Sequence, residues 1–416
     1  MEKTVLVNLS TSAREKLDAV ESMDELEGLT RAAGAAVLHK AFQVRPAPSP
    51  RYFIGEGKVE ELKSLRDRES VETFVFDHKL SPTQQRNLEK ALEAKVIDRT
   101  QLILDIFARR ARSTEGKLQV ELAQLKYLLP RLAGRGKALS RLGGGIGTRG
   151  PGEKKLESDR RHIQDRITKI QRDVRAVARR RSGQRQSRKE SLIPLVALVG
   201  YTSVGKSTLF NRLAGASTFT SPALFATLDP LVRRARFDDG LPYFLSDTVG
   251  FIRRLPAELV VSFKATLEEV LEADLIVHVV DLSAPAVEAH LEAVTKILAD
   301  IGAAGIPVLR AYNKIDRLPE RAELLSRNAA SGEAVYISAA EGDGIDVLKD
   351  RLRAALFRDL RPFDLRLPKA LPDLLRAVQR RSLILKKQED GDYHVLRVMA
   401  DPCGMVDVAP FIVRGA

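Results

Sequence analysis

The chain has 416 residues, of which 44% are hydrophobic and 30% charged, with a formal net charge of +13. That length suits about three domains of ~150 residues, and the balance excludes wholesale disorder. A single cysteine, Cys403, excludes a disulfide framework, no apolar run reaches the ~20 residues of a membrane span, and the opening MEKTVLVNLS lacks the layout of a secretion signal, so a reducing cytosol is expected.

Residues 1–98 read as a small α/β domain. Strand-like stretches at 4–9, 35–44, 73–76 and 95–97 alternate with helix-like ones at 13–27, 58–68 and 83–93, the pattern of a layered sheet. Ser81-Pro82 supplies an N-cap and a first-turn proline for the last of these helices. Gly55-Glu-Gly-Lys58 reads as a turn entering a helix rather than as a phosphate loop.

Residues 99–190 change period. Leu118, Leu122, Leu125, Leu129 and Leu132 recur at heptad-like spacing, as do Leu156, Ile163, Ile167, Ile170, Val174 and Val177 after a glycine-rich break. The expected structure is an antiparallel helical hairpin with a non-helical tip over 134–155, centred on GGGIGTRGPGEKK, and a polar linker over 179–190. Residues 131–190 hold 19 Lys/Arg and 6 Asp/Glu, which is the whole net excess of the chain. Such concentration points to a polyanion contact, with a solvated helix face or a basic linker as the plainer reading.

Residues 191–360 alternate strand and helix again. An apolar strand at 193–199 runs into G-Y-T-S-V-G-K-S and then a helix, the strand–loop–helix setting of a phosphate-binding loop. Its backbone N–H groups and helix N-terminus attract phosphate, which nominates Gly200, Tyr201, Thr202, Ser203, Val204, Gly205, Lys206, Ser207 and Thr208 as nucleotide contacts. Lys206 is placed to reach the β- and γ-oxygens, and Ser207 to offer its hydroxyl to Mg²⁺. Asp247, Thr248, Val249 and Gly250 follow the next strand, with Asp247 a second Mg²⁺ contact and the Gly250 N–H aimed at the γ-phosphate. Asn313, Lys314 and Asp316 follow another, where a carboxylate accepts from guanine N1–H and the 2-amino group, a pair that adenine lacks. Ser338, Ala339 and Ala340 follow a fourth, with the Ala339 N–H for guanine O6. Four such elements in order, each at a strand's carboxyl end, indicate a guanine nucleotide, GTP or GDP, in a doubly wound, mostly parallel P-loop sheet. Among Thr218, Thr220 and Thr227, the last is favoured to close over Mg²⁺ and the γ-phosphate, so Lys206, Thr227 and Gly250 are the expected catalytic contacts. Phe251 stands where small GTPases carry a water-orienting glutamine, which implies slow unassisted hydrolysis; Arg253 and Arg254 either supply a cation in cis or lie in solvent. Residues 361–416 read as a small α/β piece, with a helix at 371–381 and strands at 383–387 and 394–399. The histidines show no metal-ligand spacing.

With these elements joined to YFIGEGKVEEL at 52–62, LSPTQQRNLE at 80–89, GGGIGTRGPGEKKLESDRR and LFATLDP, the chain resembles the HflX family of ribosome-binding GTPases over most of its length. The resemblance implies a monomeric cytoplasmic factor, at ribosomes or the periphery of a membrane. It would bind the large ribosomal subunit through its N-terminal and helical parts, hydrolyse GTP faster there, and help to separate or rescue stalled ribosomes under stress. Arg149, Lys154 and Lys155 are then the expected ribosomal RNA phosphate contacts, against the alternative of a turn that merely closes the hairpin. Lys154 stands where many members carry threonine, and Ser203 where many carry an asparagine associated with potassium activation. The competing reading is a regulatory G protein whose partner is another protein, a protease or a membrane complex, with the hairpin as a coiled-coil adaptor.

Overall fold

The computed structural model describes residues 1–12, 16–132, 151–189, 192–215, 225, 231–253, 269–329, 332 and 334–413. The chain divides into two compact units. The first comprises Met1–Val177 with Ser221–Asp229 and Ile252–Lys264, and the second Ala178–Thr220, Pro230–Phe251 and Ala265–Ala416.

In the first unit four parallel strands, β1 (Lys3–Ser10), β2 (Ala36–Val44), β3 (Thr73–Phe76) and β4 (Lys95–Asp98), lie in the order β2-β1-β3-β4. The helices α1 (Lys16–Ala32), α2 (Glu56–Glu69) and α3 (Pro82–Leu92) supply the crossovers. Helix α3 opens on the expected cap: Ser81 and Gln84 exchange side-chain and backbone hydrogen bonds around Pro82. Val5, Val7, Phe74, Phe76, Leu62 and Leu88 close one face of this sheet.

Helix α4 (Arg99–Arg110) follows β4 directly and is capped by Asp98, whose side chain accepts from the Gln101 N–H. It packs on α1 and on α5 (Thr114–Leu132), and this changes the expected seam. The buried face of α5 carries Gln119, Val120, Ala123 and Tyr127, because α4 covers that side; of the predicted leucine stripe only Leu122 is buried. Helix α6 (Pro151–Lys189) is joined to α5 by the Arg166–Glu121 pair, with Nε to Oε1 at 2.7 Å.

Two expectations are corrected here. The non-helical tip does not reach 155, since α6 begins at Pro151, a residue with φ preset for a first helical position, and Lys154 and Lys155 fall in its first turns. The polar stretch expected as a linker over 179–190 is helical as far as Lys189: arginine, glutamine and lysine are good helix formers, and α6 runs through them. Arg149 lies outside the described residues, as do Thr218, Thr220, Thr227 and Arg254.

The second unit holds a six-stranded sheet in the order β10-β9-β8-β5-β7-β6. Its strands are β5 (Leu195–Gly200), β6 (Leu231–Arg236), β7 (Pro242–Asp247), β8 (Leu275–Asp281), β9 (Val308–Asn313) and β10 (Ala334–Tyr336). All pairs are parallel except β6 with β7. Helices α7 (Lys206–Ala214), α8 (Val287–Asp300), α9 (Arg321–Arg327) and α10 (Ile345–Leu356) complete the alternation. A separate antiparallel sheet, β11-β13-β12, follows, built from β11 (Arg361–Pro368), β12 (Ser382–Asp390) and β13 (Tyr393–Ala400). Helix α11 (Pro372–Arg381) and a terminal 3-10 stretch (Pro402–Phe411) pack on it through Val378, Met405 and Val408. Neither β11 nor the 3-10 stretch was expected from the sequence. Among the described residues, no helix is long and apolar enough to cross a membrane, and no cluster of histidine, cysteine and carboxylate side chains could hold a metal ion.

Candidate nucleotide site

Strand β5 lies between β8 and β7, where the chain reverses direction across the sheet, so the loop leaving β5 sits at the topological switch point where open α/β sheets bind ligands. That loop, 200–207, turns on two glycines. A Cβ at Gly200 would lie 2.3 Å from the Val279 carbonyl, and one at Gly205, φ +96°, would lie 2.4 Å from Asn313 Nδ2. Neither position accepts a side chain. Ser203 is exposed on the loop with φ at 60°.

Lys206 is buried, and its Nζ donates to the loop's own carbonyls, Gly200 at 3.1 Å and Tyr201 at 2.7 Å. Burial pushes its pKa down to about 8 against the opposing pull of the Asp247 carboxylate. Ser207 Oγ donates to Asp247 Oδ2 at 2.7 Å, so the two side chains named for Mg²⁺ meet side by side. A hydroxyl beside a carboxylate is the hard-oxygen donor set that suits a small divalent cation.

The remaining elements converge from strand ends. Asp247 ends β7; beyond it Thr248 is wholly buried and donates its hydroxyl to the Leu198 carbonyl at 2.7 Å, so this side chain secures the loop to the sheet. Val249 is buried as well. Gly250 presses on the phosphate loop, where a Cβ would lie 2.9 Å from Thr202 and 3.1 Å from Lys206 Nζ. Phe251 bonds the same loop through its backbone: its N–H donates to Gly200 O at 3.0 Å, and its carbonyl accepts from Thr202 N–H at 2.8 Å. Its ring, 2% exposed, belongs to the apolar layer of Leu195, Val199, Val270, Ile276 and Val294. The residue in the water-orienting position is therefore core.

On the base side, Asn313 ends β9 and is 2% exposed. Its Nδ2 donates to the Val204 carbonyl at 2.7 Å, and its Oδ1 accepts from the Ala339 N–H at 2.9 Å, tying the phosphate loop to the 338–340 loop. Ser338 Oγ donates to Asp316 Oδ1 at 2.6 Å, which orients the carboxylate. Lys314, φ 65°, extends its ammonium to Asp281 Oδ2 at 2.6 Å.

Two contributors escaped the sequence reading. Arg212 on α7 straps the carbonyl of Ala340 at 2.5 Å, and Asp281 fixes Lys314. Each depends on a partner distant in the chain, so neither had a local signal.

Three family models match successive segments of the chain. A GTP-binding GTPase N-terminal model matches residues 20–108, a GTP-binding GTPase middle-region model 110–188, and a 50S ribosome-binding GTPase model 195–314. The GTPase HflX of Caldanaerobacter subterraneus subsp. tengcongensis is 47% identical over 86% of this chain and 81% of its own. The chain belongs to the HflX family of GTPases. The Escherichia coli GTPase HflX is 45% identical over 88% of this chain and 86% of its own. A crystal structure of a GTP-binding protein from Sulfolobus solfataricus in complex with GDP is 26% identical, covers 86% of this chain and 99% of that one, and superposes with a TM-score of 0.43. As an HflX-family member the protein is a GTPase.

Proposed function

We propose that this HflX-family GTPase is a GTP-gated factor for the large ribosomal subunit that helps to split, rescue or recycle ribosomes under stress. The observation that carries the reading is the concentration of the whole net charge in residues 131–190, together with the match to a 50S ribosome-binding GTPase model. Helix α6 exposes Arg160, Arg161, Arg166 and Lys169 along its described side chains, whereas an adaptor seam would present apolar or balanced positions. Arg149, Lys154 and Lys155 contact RNA phosphates in this reading, and few aromatics (5% of the chain, no tryptophan) leave little part for base stacking.

In the pocket, the amides of Gly200 to Thr208 cradle the phosphates, with Lys206 swinging from its loop carbonyls onto the β- and γ-oxygens. Asp316, oriented by Ser338, accepts from guanine, and the Ala339 N–H donates to O6. Ser207 and Asp247, with Thr227, would hold Mg²⁺, which when bound would neutralise charge on the β- and γ-phosphates. With the Phe251 ring in the core, no side chain at that position orients the attacking water. Hydrolysis by the isolated chain is then slow, ~10⁻⁴ to 10⁻² s⁻¹, and quickens when large subunits order the loops around Thr227 and Gly250.

The test is co-sedimentation with large subunits at two salt concentrations, with a non-hydrolysable GTP analogue and with GDP, alongside single-turnover hydrolysis with and without subunits. Attachment should require the analogue and fall by ~0.7 to 0.9 log units per log unit of salt for each phosphate contacted. Replacing Arg149, Lys154 and Lys155 by alanine should lower both affinity and slope. Attachment indifferent to nucleotide, or unaltered in the triple variant, would refute the reading.

A further inference from the structure

Two residues beside the nucleotide loops belong to the first unit and are bound within it. Phe225, two positions before Thr227, is 3% exposed, and its ring meets that of Phe107 on α4 edge-on at 4.5 Å between centroids. Arg253, two positions after Phe251, pairs through its guanidinium with Asp18 and with Glu21 on α1, the latter at 3.1 Å. Its carbonyl accepts from Arg99 Nη2 at 3.4 Å. The cation-in-cis role considered for Arg253 finds no support in this arrangement.

The anchor is itself rigid. Arg99, 3% exposed at the start of α4, is held by Asp77 at 2.7 Å and Glu25 at 2.8 Å. Asp77 in turn accepts from Asn8 Nδ2 at 3.0 Å and Ser22 Oγ at 2.7 Å. Asn8 lies in β1 and Asp77 just beyond β3, so this desolvated network sits at the carboxyl ends of the two strands where the first sheet reverses direction. In an open parallel sheet that is the place for a ligand. Here the chain's own Arg253 segment takes it.

The consequence runs back along the backbone. Three peptide steps, an extended reach of at most about 10 Å, separate Gly250 from Arg253. As the segment stands, Gly250 and the Phe251 backbone lie against Thr202 and Lys206. A γ-phosphate between Lys206 and the Gly250 N–H requires those groups to part, which pulls on Ile252 and Arg253.

We propose that the pairing of Arg253 with Asp18 and Glu21 is a latch that biases the pocket toward the diphosphate, and that triphosphate binding releases it and so reports to α1. The proposal rests on the pocket's binding of guanine nucleotide and needs no ribosome, so its failure leaves the subunit-binding reading untouched. Both pairs are partly exposed, so the bias is modest, and opening the latch should raise the ratio of triphosphate-analogue to GDP affinity about fivefold.

The test uses the full chain in four forms: wild type, Arg253→Glu, Asp18→Asn with Glu21→Gln, and the charge swap combining Arg253→Glu with Asp18→Arg and Glu21→Arg. Displacement fluorescence gives the affinity ratio, and amide hydrogen exchange over α1 gives the report. In the wild type, α1 should exchange faster with the analogue than with GDP. Both opened forms should exchange fast with either nucleotide and show the raised ratio, and the swap should restore wild-type behaviour. Wild-type exchange indifferent to nucleotide overturns the proposal without any variant. So does a ratio within twofold of wild type in the opened forms, or a swap that fails to restore it.

Discussion

Replacing Asn313 by alanine tests how the pocket is held together. The side chain makes two buried hydrogen bonds, donating to the Val204 carbonyl at 2.7 Å and accepting from the Ala339 N–H at 2.9 Å. Val204 and Ala339 are themselves 3% and 2% exposed, so water cannot readily replace the lost partner. Each orphaned group costs about 1–3 kcal/mol, which puts the change near 4 kcal/mol in all. If half of this falls on the nucleotide complex, GDP affinity drops about 30-fold. The remaining half lowers the melting of the nucleotide-free unit by about 4–8 °C, at about 2–4 °C per kcal/mol for a domain of this size. Differential scanning calorimetry with and without GDP, and titration with a fluorescent GDP, separate the two effects. A variant that melts within about a degree of wild type and binds GDP within about threefold would show that Asn313 does not tie the loops, and the account of the site would fail.

Other outcomes follow from the same geometry. Asp316→Asn keeps an oxygen for guanine N1–H but turns an amide NH₂ toward the 2-amino group; GDP affinity should fall about 10²- to 10³-fold while xanthosine diphosphate gains, as competition binding would show. Lys206 carries a pKa depressed to about 8 in the free protein, and phosphate needs its charged form. Binding must therefore take up a proton above pH 8, and GDP affinity should weaken about tenfold from pH 7 to 9; a flat profile would contradict the buried-ammonium geometry. Burial, then the charges of Arg310 and Lys206, push His278 down to about 4. A histidine with a depressed folded-state pKa gives its full stability above 6.5 and loses it as pH falls toward 4, by up to about 3 kcal/mol. Urea unfolding at pH 7 and 4.5 should show a smaller acid loss in His278→Asn than in the wild type.

The first sheet was legible because its strands are short apolar runs bounded by capped helices, as at Ser81-Pro82. Strand β6 was not: LVRRAR is charged at most outward positions and reads as polar surface until its pairing with β7 makes it an edge. Helix α6 starts earlier than its glycine-rich surroundings suggested, and the polar stretch read as a linker over 179–190 continues it to Lys189, since helix-forming residues prevail there. The leucine stripe of α5 was read as a seam for its hairpin partner, but α4 took the adjoining face.

The sequence alone nominated the residues of the pocket. Each element is a few contiguous residues at the end of a strand, so local pattern carries both the fold position and the ligand contact. Tertiary structure decided what holds those elements. Thr248 faces the sheet, Phe251 lies in the core, and Asn313 bridges two loops, 109 residues from Val204 and 26 from Ala339. The partners Arg253 and Asp18 are 235 residues apart. Side chains that pair across such separations leave no periodic or local trace, because only the folded backbone brings their charges within reach.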